Sequence, residues 1–227
     1  MRTAYLLIPT ILAVIATQTD YLPAKMGVPL ACALILLFVL RPGWNKTGQA
    51  VTDVYWIVAA FVFSAAGDYF LSNKSGQEVY FVIGIGLYLV AHLGYLGFAW
   101  RNGRLHWPVL GLLLLIYVPY YLLLLNPAVD DLVLSLSVLA YLLISCLVLA
   151  VAAGLRLSQP MKGVFILGIA LIVLSDTIIS FTEFLQYRDL NWLILPTYYL
   201  AHLSISLALL RWGWSRETAV TPSITAK

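Results

Sequence analysis

Long apolar stretches separated by short polar joints run along the whole chain. A helix needs about 20 apolar residues to cross the hydrocarbon core of a membrane, and eight segments of about this length can be drawn. These segments are residues 3–20, 22–40, 53–73, 78–100, 107–125, 132–155, 163–187 and 192–212. The joints are polar or contain Gly and Pro, as in residues 41–46. The pattern predicts an all-α integral membrane protein with eight transmembrane helices.

Composition supports this class. The 227 residues are 62% hydrophobic and only 10% charged, whereas a soluble domain carries about 25% charged residues. The net charge of +3 comes without a basic stripe or a recognised motif, so nucleic-acid binding has no support. We expect a single transmembrane domain over residues 1–214 and a short polar cytoplasmic tail over residues 215–227.

The basic residues predict the orientation of the chain. With the N-terminus inside, ten of the 13 Lys and Arg residues fall on the cytoplasmic side, and Lys25, Lys74 and Arg188 fall on the other. This asymmetry follows the positive-inside rule, so both termini are expected in the cytoplasm, across a bacterial inner membrane. The first segment could instead be a signal peptide, but Pro9 interrupts it and no A-x-A site precedes Asp20.

One polar pattern occurs twice within the predicted spans. Asp68 on the third span is followed by the Ala-His-Leu triplet of His92, and Asp176 on the seventh by that of His202. The two Asp residues are 108 positions apart and the two His residues 110. Because each half has an even number of spans, both halves would cross the membrane in the same direction. The predicted parallel four-plus-four repeat has the units 1–105 and 106–214.

Further polar side chains continue this pattern along single helix faces. An ionisable group inside a span costs several kcal/mol unless it is paired or faces a cavity, so it marks a functional site by default. Residues three, four or seven positions apart share a helix face. Four spans therefore each present a polar face, and we expect these faces to enclose one cavity with Lys25 near its outer mouth. The residues that join the Asp and His pairs are Tyr88, Tyr95, Glu183 and Tyr198.

The same residues also allow structural interpretations. The Asp residues could form ion pairs or helix caps, a buried His is more often hydrogen-bonded than a ligand, and Lys25 could extend its ammonium to the interface. By helical rise, Asp68 lies about 9 Å from Lys74 and Asp176 about 18 Å from Arg188. Direct pairing of the two carboxylates is therefore left open.

Two intramembrane carboxylates suggest acid–base chemistry. Neighbouring carboxylates in a site with little water tend to share one proton. One can then act as a general acid while the other stabilises an oxocarbenium ion or activates water. This chemistry suits hydrolysis of an acid-labile ether-type bond in a lipid. The sequence contains no G-x-S-x-G elbow, H-E-x-x-H motif or Cys/His cluster, so we expect neither metal nor cofactor.

Four short motifs carry a resemblance to a known family. They are Gly67-Asp68 with Leu71, Ala91-His92-Leu93-Gly94-Tyr95, Ser175-Asp176, and Thr197-Tyr198-Tyr199. In this order and spacing, they resemble the YhhN-like lysoplasmalogenase family over essentially the whole chain. The resemblance implies an eight-helix membrane enzyme that hydrolyses the vinyl-ether bond of lysoplasmalogens. The products would be a fatty aldehyde and glycerophosphocholine or glycerophosphoethanolamine.

The resemblance also implies residue roles and partners. Asp68 and Asp176 would be catalytic, and the partners would be a lysophospholipid and the bilayer. Two positions depart from the family: Lys25 is separated from the following Pro-Leu, and His202 stands where a Gln is expected. The residues assigned to support or bind the substrate are Lys25, Tyr88, His92, Tyr95, Ser175, Glu183, Tyr198 and His202.

Other functions are compatible with parts of this pattern. A proton- or ion-coupled transporter also uses intramembrane Asp and His and parallel repeats, although no central span is clearly broken. An aspartyl intramembrane protease would need Gly at Ala65. Bis-His haem ligation by His92 and His202 would produce a Soret band. Headgroup preference and oligomeric state are not predicted.

Overall fold

The computed structural model describes residues 2–39 and 49–220, which form helices and no strand. The eight α-helices are α1 Leu7–Thr19, α2 Leu22–Val39, α3 Gln49–Ser72, α4 Glu78–Asn102, α5 Trp107–Tyr120, α6 Leu132–Ala153, α7 Gln159–Phe184 and α8 Ile194–Val220. A 3₁₀ segment, Arg2–Leu6, precedes α1, and α5 continues through a π-helical turn, Tyr121–Leu125. The predicted all-α class is confirmed.

Seven helices in the described ranges are long and apolar enough to cross a membrane. The first apolar segment, Thr3–Thr19, has 17 residues, fewer than the 20 or so that a span needs. Large apolar side chains face outward, with Leu115 72% and Leu123 73% exposed, as a lipid-facing surface requires. The chain thus has the architecture of a multi-pass membrane protein. The eighth span, the repeat and the orientation stay predictions.

The predicted helix limits differ from the structure at both ends, since α3 and α7 each begin four residues earlier than predicted. The seventh helix ends at Phe184, before Arg188, so Arg188 lies in the following loop. The eighth continues to Val220, so the first residues of the predicted tail extend a helix. The predicted joint 41–46 and residues 221–227 lie outside the described residues.

Six helices form a ring, and two lie outside it. In the ring, α2, α3, α4, α6, α7 and α8 follow one another by contact, and α8 packs back against α2. Helix α1 packs against α2 and α8, and α5 against α6. The most extensive contacts join α3 to α4 and α7 to α8. These are the four helices that carry the predicted polar faces.

A carboxylate and a guanidinium join α3 and α4 at the ends farthest from Asp68. Asp53 accepts hydrogen bonds from Arg101 Nε and, at 3.2 Å, from Asn102 Nδ2. Both Asp53 carboxylate oxygens have a donor there, so the group is well matched to a structural role. Asp53 therefore provides a comparison for the carboxylates of the candidate site.

Close packing of α3 on α4 depends on a small residue at Gly94. A Cβ atom at this position would lie 2.7 Å from Trp56 O and 2.9 Å from Ala60 Cβ. Both contacts are shorter than van der Waals packing allows, and one is with backbone that cannot rotate away. Small residues at such crossings let membrane helices approach closely.

We expect Gly94→Ala to destabilise the protein by about 1–3 kcal/mol, because α3 must move to admit the methyl group. Gly86→Ala on the same helix is the matched control, since a Cβ there meets no described atom within 4 Å. Alanine also has the higher helix propensity. Thermal unfolding in detergent measures both variants, and equal stability would contradict this account of the α3–α4 contact.

Candidate active site

Asp68 lies in the last two turns of α3 and is only 7% exposed. Tyr88 on α4 donates a hydrogen bond from its hydroxyl to Asp68 Oδ1 at 2.5 Å. The other oxygen, Oδ2, is buried and has no hydrogen-bond partner in the described part of the chain. Buried polar atoms without a partner are rare and call for a ligand or a water molecule. Asp68 is therefore incompletely satisfied by the protein itself.

Asp176 on α7 has a different set of partners. Tyr141 on α6 donates its hydroxyl proton to Asp176 Oδ2 at 2.9 Å, and His92 Nε2 lies 3.3 Å from the same oxygen. His92 is 3% exposed, and its Nδ1 lies 2.9 Å from the Tyr88 carbonyl oxygen. That carbonyl can only accept, so Nδ1 carries a proton and Nε2 is left to exchange one with Asp176.

Helix α4 connects the two carboxylates. Tyr88 and His92 are four residues apart, so they lie one turn apart on the same face of α4. Tyr88 holds Asp68, and His92 contacts Asp176. Two carboxylates that are far apart in sequence are thus contacted from successive turns of one helix.

An ion pair joins α7 to the chain that follows α3, on the C-terminal side of both carboxylates. Lys74 donates to Glu183 Oε1 near the end of α7 at 2.5 Å. Asp68 is six residues before Lys74 and Asp176 seven before Glu183. Lys74 lies beyond the end of α3 and Arg188 beyond the end of α7, so helical rise from these two residues does not give the depth of the carboxylates.

Asp68 and Asp176 line one cavity of about 190 Å³. Helices α2, α3, α4, α7 and α8 all contribute to its wall, so the predicted meeting of four polar faces is joined by α2. Its polar lining residues, besides the two carboxylates, are Lys25, Ser72, Lys74, Tyr88, Ser175, Glu183, Tyr198 and Tyr199.

Asp176 also lines two further cavities with mainly apolar walls. One, of about 70 Å³, lies among α3, α4, α6 and α7. The other, of about 60 Å³, lies among α5, α6 and α7 and includes the Tyr117 and Tyr120 rings. The polar main cavity and the two mainly apolar cavities therefore share Asp176 as a lining residue. The apolar residues of the larger one are Leu71, Phe81, Ile85, Val138, Ile179 and Phe184.

Two tyrosine hydroxyls of the main cavity also have no protein partner. Tyr198 Oη and Tyr199 Oη are buried and without a hydrogen bond in the described structure. Asp68, Tyr198 and Tyr199 all line the main cavity, and each carries a buried polar atom without a hydrogen bond within 3.5 Å in the described residues. Such a lining suits a polar ligand or water, which could supply the missing hydrogen bonds.

Three predicted site residues are placed differently from the carboxylates. Ser175 lines the cavity, but its hydroxyl donates to Ile194 O at 3.1 Å. Tyr95 Oη lies 3.5 Å from His202 Nε2 and 3.4 Å from Ser64 Oγ. The wall of the main cavity includes neither Tyr95 nor His202. Only the first of the two paired His residues thus contacts a carboxylate.

Sequence reasoning missed Tyr141 and Lys74 as parts of the site. Tyr141 lies in the middle of α6, whereas interfacial tyrosines belong near span ends. The mid-span position of Tyr141 could therefore have marked it as a candidate site residue from the sequence alone. Lys74 was counted only as a topology residue, and its contact with Glu183 could not be read from the sequence. In the described ranges, no three His, Cys, Asp or Glu residues are placed to hold a metal ion.

The fold and site together define a class: a multi-pass helical membrane protein with two carboxylates at an internal cavity. The model of the YhhN family matches residues 23–209 of the chain, so the chain belongs to the YhhN family. This confirms the resemblance seen in the sequence motifs. Comparison with curated proteins and with solved structures gives no significant match.

Proposed function

We propose that this protein hydrolyses the vinyl-ether bond of lysoplasmalogens, such as lysoplasmenyl-choline and lysoplasmenyl-ethanolamine. The observation that carries the proposal is that Asp68 and Asp176 line one cavity while having different hydrogen-bond partners. Unequal surroundings separate the roles of two carboxylates, one as acid and one as base. Family membership supports the same reaction class.

We assign the donated proton to Asp68. A buried carboxylate with a single hydrogen bond is poorly stabilised as an anion, whereas the neutral acid needs fewer partners. Asp68 lines the cavity and has one hydrogen bond, from Tyr88, while its buried Oδ2 has no partner in the described residues. Asp176, with Tyr141 and His92 at one oxygen, suits the ionised role.

The reaction then consumes one water molecule. Asp68 donates its proton to the alkene carbon that is not bonded to the ether oxygen, which leaves an oxocarbenium ion stabilised by Asp176. Water adds to the oxygen-bearing carbon and gives a proton to the Asp176–His92 pair. The resulting hemiacetal transfers its hydroxyl proton to the glycerol oxygen and breaks into aldehyde and alcohol. The proton held by Asp176–His92 returns to Asp68.

The cavities suit an amphipathic substrate. The main cavity offers charged and hydroxyl groups, and the adjoining chamber is lined mainly by apolar residues. A lysolipid could place its polar end in the first and its alkenyl chain in the second, with the ether bond at the carboxylates between them. Because the site lies inside the helix bundle, the ether bond of a membrane lipid would be hydrolysed in a protein interior that contains little water.

The test is an aldehyde-release assay on purified protein. We expect fatty aldehyde from lysoplasmenyl-choline and lysoplasmenyl-ethanolamine, and none from the saturated-ether analogues, because a saturated ether has no alkene carbon to protonate. Cleavage of the saturated analogues would refute vinyl-ether chemistry. Solute uptake into proteoliposomes without aldehyde release would instead favour the transporter alternative.

A further inference from the structure

The mouth of the main cavity carries an equal number of positive and negative groups. Lys25, Lys74 and Glu183 line the cavity. Lys25 Nζ lies 2.5 Å from Asp20 Oδ1, and Lys74 Nζ 2.5 Å from Glu183 Oε1. The Lys25 side chain is 12% exposed, whereas that of Asp20 is 82% exposed. The lysines of both ion pairs thus line the polar chamber, and the formal charges of the two pairs sum to zero.

These charges lie at defined levels above the carboxylates. Lys25 Nζ contacts Ser72 Oγ at 3.4 Å, and Ser72 is four residues after Asp68, about 6 Å by helical rise. Glu183 is seven residues after Asp176, about 10.5 Å by the same rise. The Lys25 ammonium therefore lies about one helical turn beyond Asp68, and the Lys74–Glu183 pair lies farther out.

A lysoplasmalogen has its charges in the same order. Five bonds separate the ether oxygen from the phosphorus atom, and nine separate it from the headgroup nitrogen. With single bonds of about 1.5 Å in an extended chain, these separations are about 6 Å and 11 Å. With the ether at the carboxylates, the phosphate would reach the level of Lys25, and the ammonium that of Glu183.

We propose that this mouth is a binding site for a zwitterionic phospho-headgroup, with the phosphate on Lys25 and Lys74 and the ammonium on Glu183. The headgroup would separate Lys74 from Glu183 and give each a new partner of opposite charge. Because every charge stays paired, the exchange avoids leaving a desolvated ion alone. The inference rests on the proposed function, which places the ether bond at the Asp pair.

The site should therefore select headgroups by charge. A choline or ethanolamine headgroup matches both lysines and Glu183. A glycerol headgroup supplies the phosphate but no cation, so Glu183 would lose its lysine without replacement. Such an unmatched group lowers affinity more than a missing favourable contact does. The wild-type protein should bind the choline lipid more tightly by about tenfold.

The experiment measures binding of 1-acyl lysophosphatidylcholine and 1-acyl lysophosphatidylglycerol, which have no vinyl ether to cleave, to the full chain in detergent. Glu183→Gln should weaken choline-lipid binding about tenfold and leave glycerol-lipid binding unchanged or stronger. Lys25→Met should weaken both lipids about tenfold, and Lys25→Arg should restore them. The matched control is Glu78→Gln, a neighbouring exposed carboxylate outside the cavity lining, which should bind as wild type does.

Equal effects of Glu183→Gln on both lipids, or no effect on either, would overturn the headgroup site. Thermal unfolding of each variant separates loss of binding from loss of folding. Cleavage is scored independently with lysoplasmenyl lipids. Aldehyde release without headgroup discrimination would refute this inference alone, whereas headgroup discrimination without aldehyde release would refute only the proposed reaction.

Discussion

Asparagine in place of either Asp68 or Asp176 should abolish aldehyde release while the protein stays folded. At position 68, the amide cannot donate a proton to carbon. At position 176, the neutral amide cannot stabilise the oxocarbenium ion electrostatically, and it cannot accept a proton from the attacking water. General acid–base groups contribute about 10²–10⁴-fold to rate, so a loss of at least about 10³-fold in kcat is expected for each variant.

The control for this pair is the same substitution at Asp53. Asp53 is also buried on α3, but it binds Arg101 and Asn102 at the other end of the helix. Asp53→Asn should lower the free energy of unfolding, because Arg101 loses its charged partner, yet retain activity per folded molecule. Wild-type kcat in either Asp68→Asn or Asp176→Asn would exclude that carboxylate from the chemistry.

Glutamine at position 92 should lower kcat about 10²-fold, with a much smaller change in KM. His92 Nε2 lies 3.3 Å from Asp176 Oδ2, and a glutamine amide can form a hydrogen bond there but cannot carry a proton between steps. His92 is absent from the wall of the main cavity, so the variant should keep lysolipid binding. Single-turnover aldehyde release and equilibrium binding of the saturated analogue separate these two effects.

His202→Gln is the matched comparison, since His202 is the second copy of the same sequence pattern. Its Nδ1 lies 2.9 Å from the Tyr198 carbonyl, and its ring packs on Phe61. It contacts neither carboxylate, and glutamine is the residue that the family resemblance leads us to expect there. Its kcat should stay close to wild type. Equal losses in the two variants would mean that His92 acts through packing rather than through Asp176.

Much of the site could be predicted from the sequence because polar residues are so rare in these spans. Asp68, Asp176 and Tyr88 stood out on apolar helices, and all three line the same cavity. Lys25, predicted near the mouth, lines it as well. The prediction that the two His residues have equivalent places in the site was less accurate. His92 and His202 occupy matching sequence positions, but only His92 contacts a carboxylate in the described residues.

The reason lies in what each level of structure controls. Helix length, apolar surface and the residues that share a face follow from local sequence and helix geometry, so the chain alone determined its helices and its intramembrane carboxylates. Which faces meet depends on the rotation and height of each helix in the bundle, and these are set by packing between distant segments. Only the tertiary structure placed Tyr141 on Asp176, brought Asp68 and Asp176 to one cavity, and gave each carboxylate its own partner on α4.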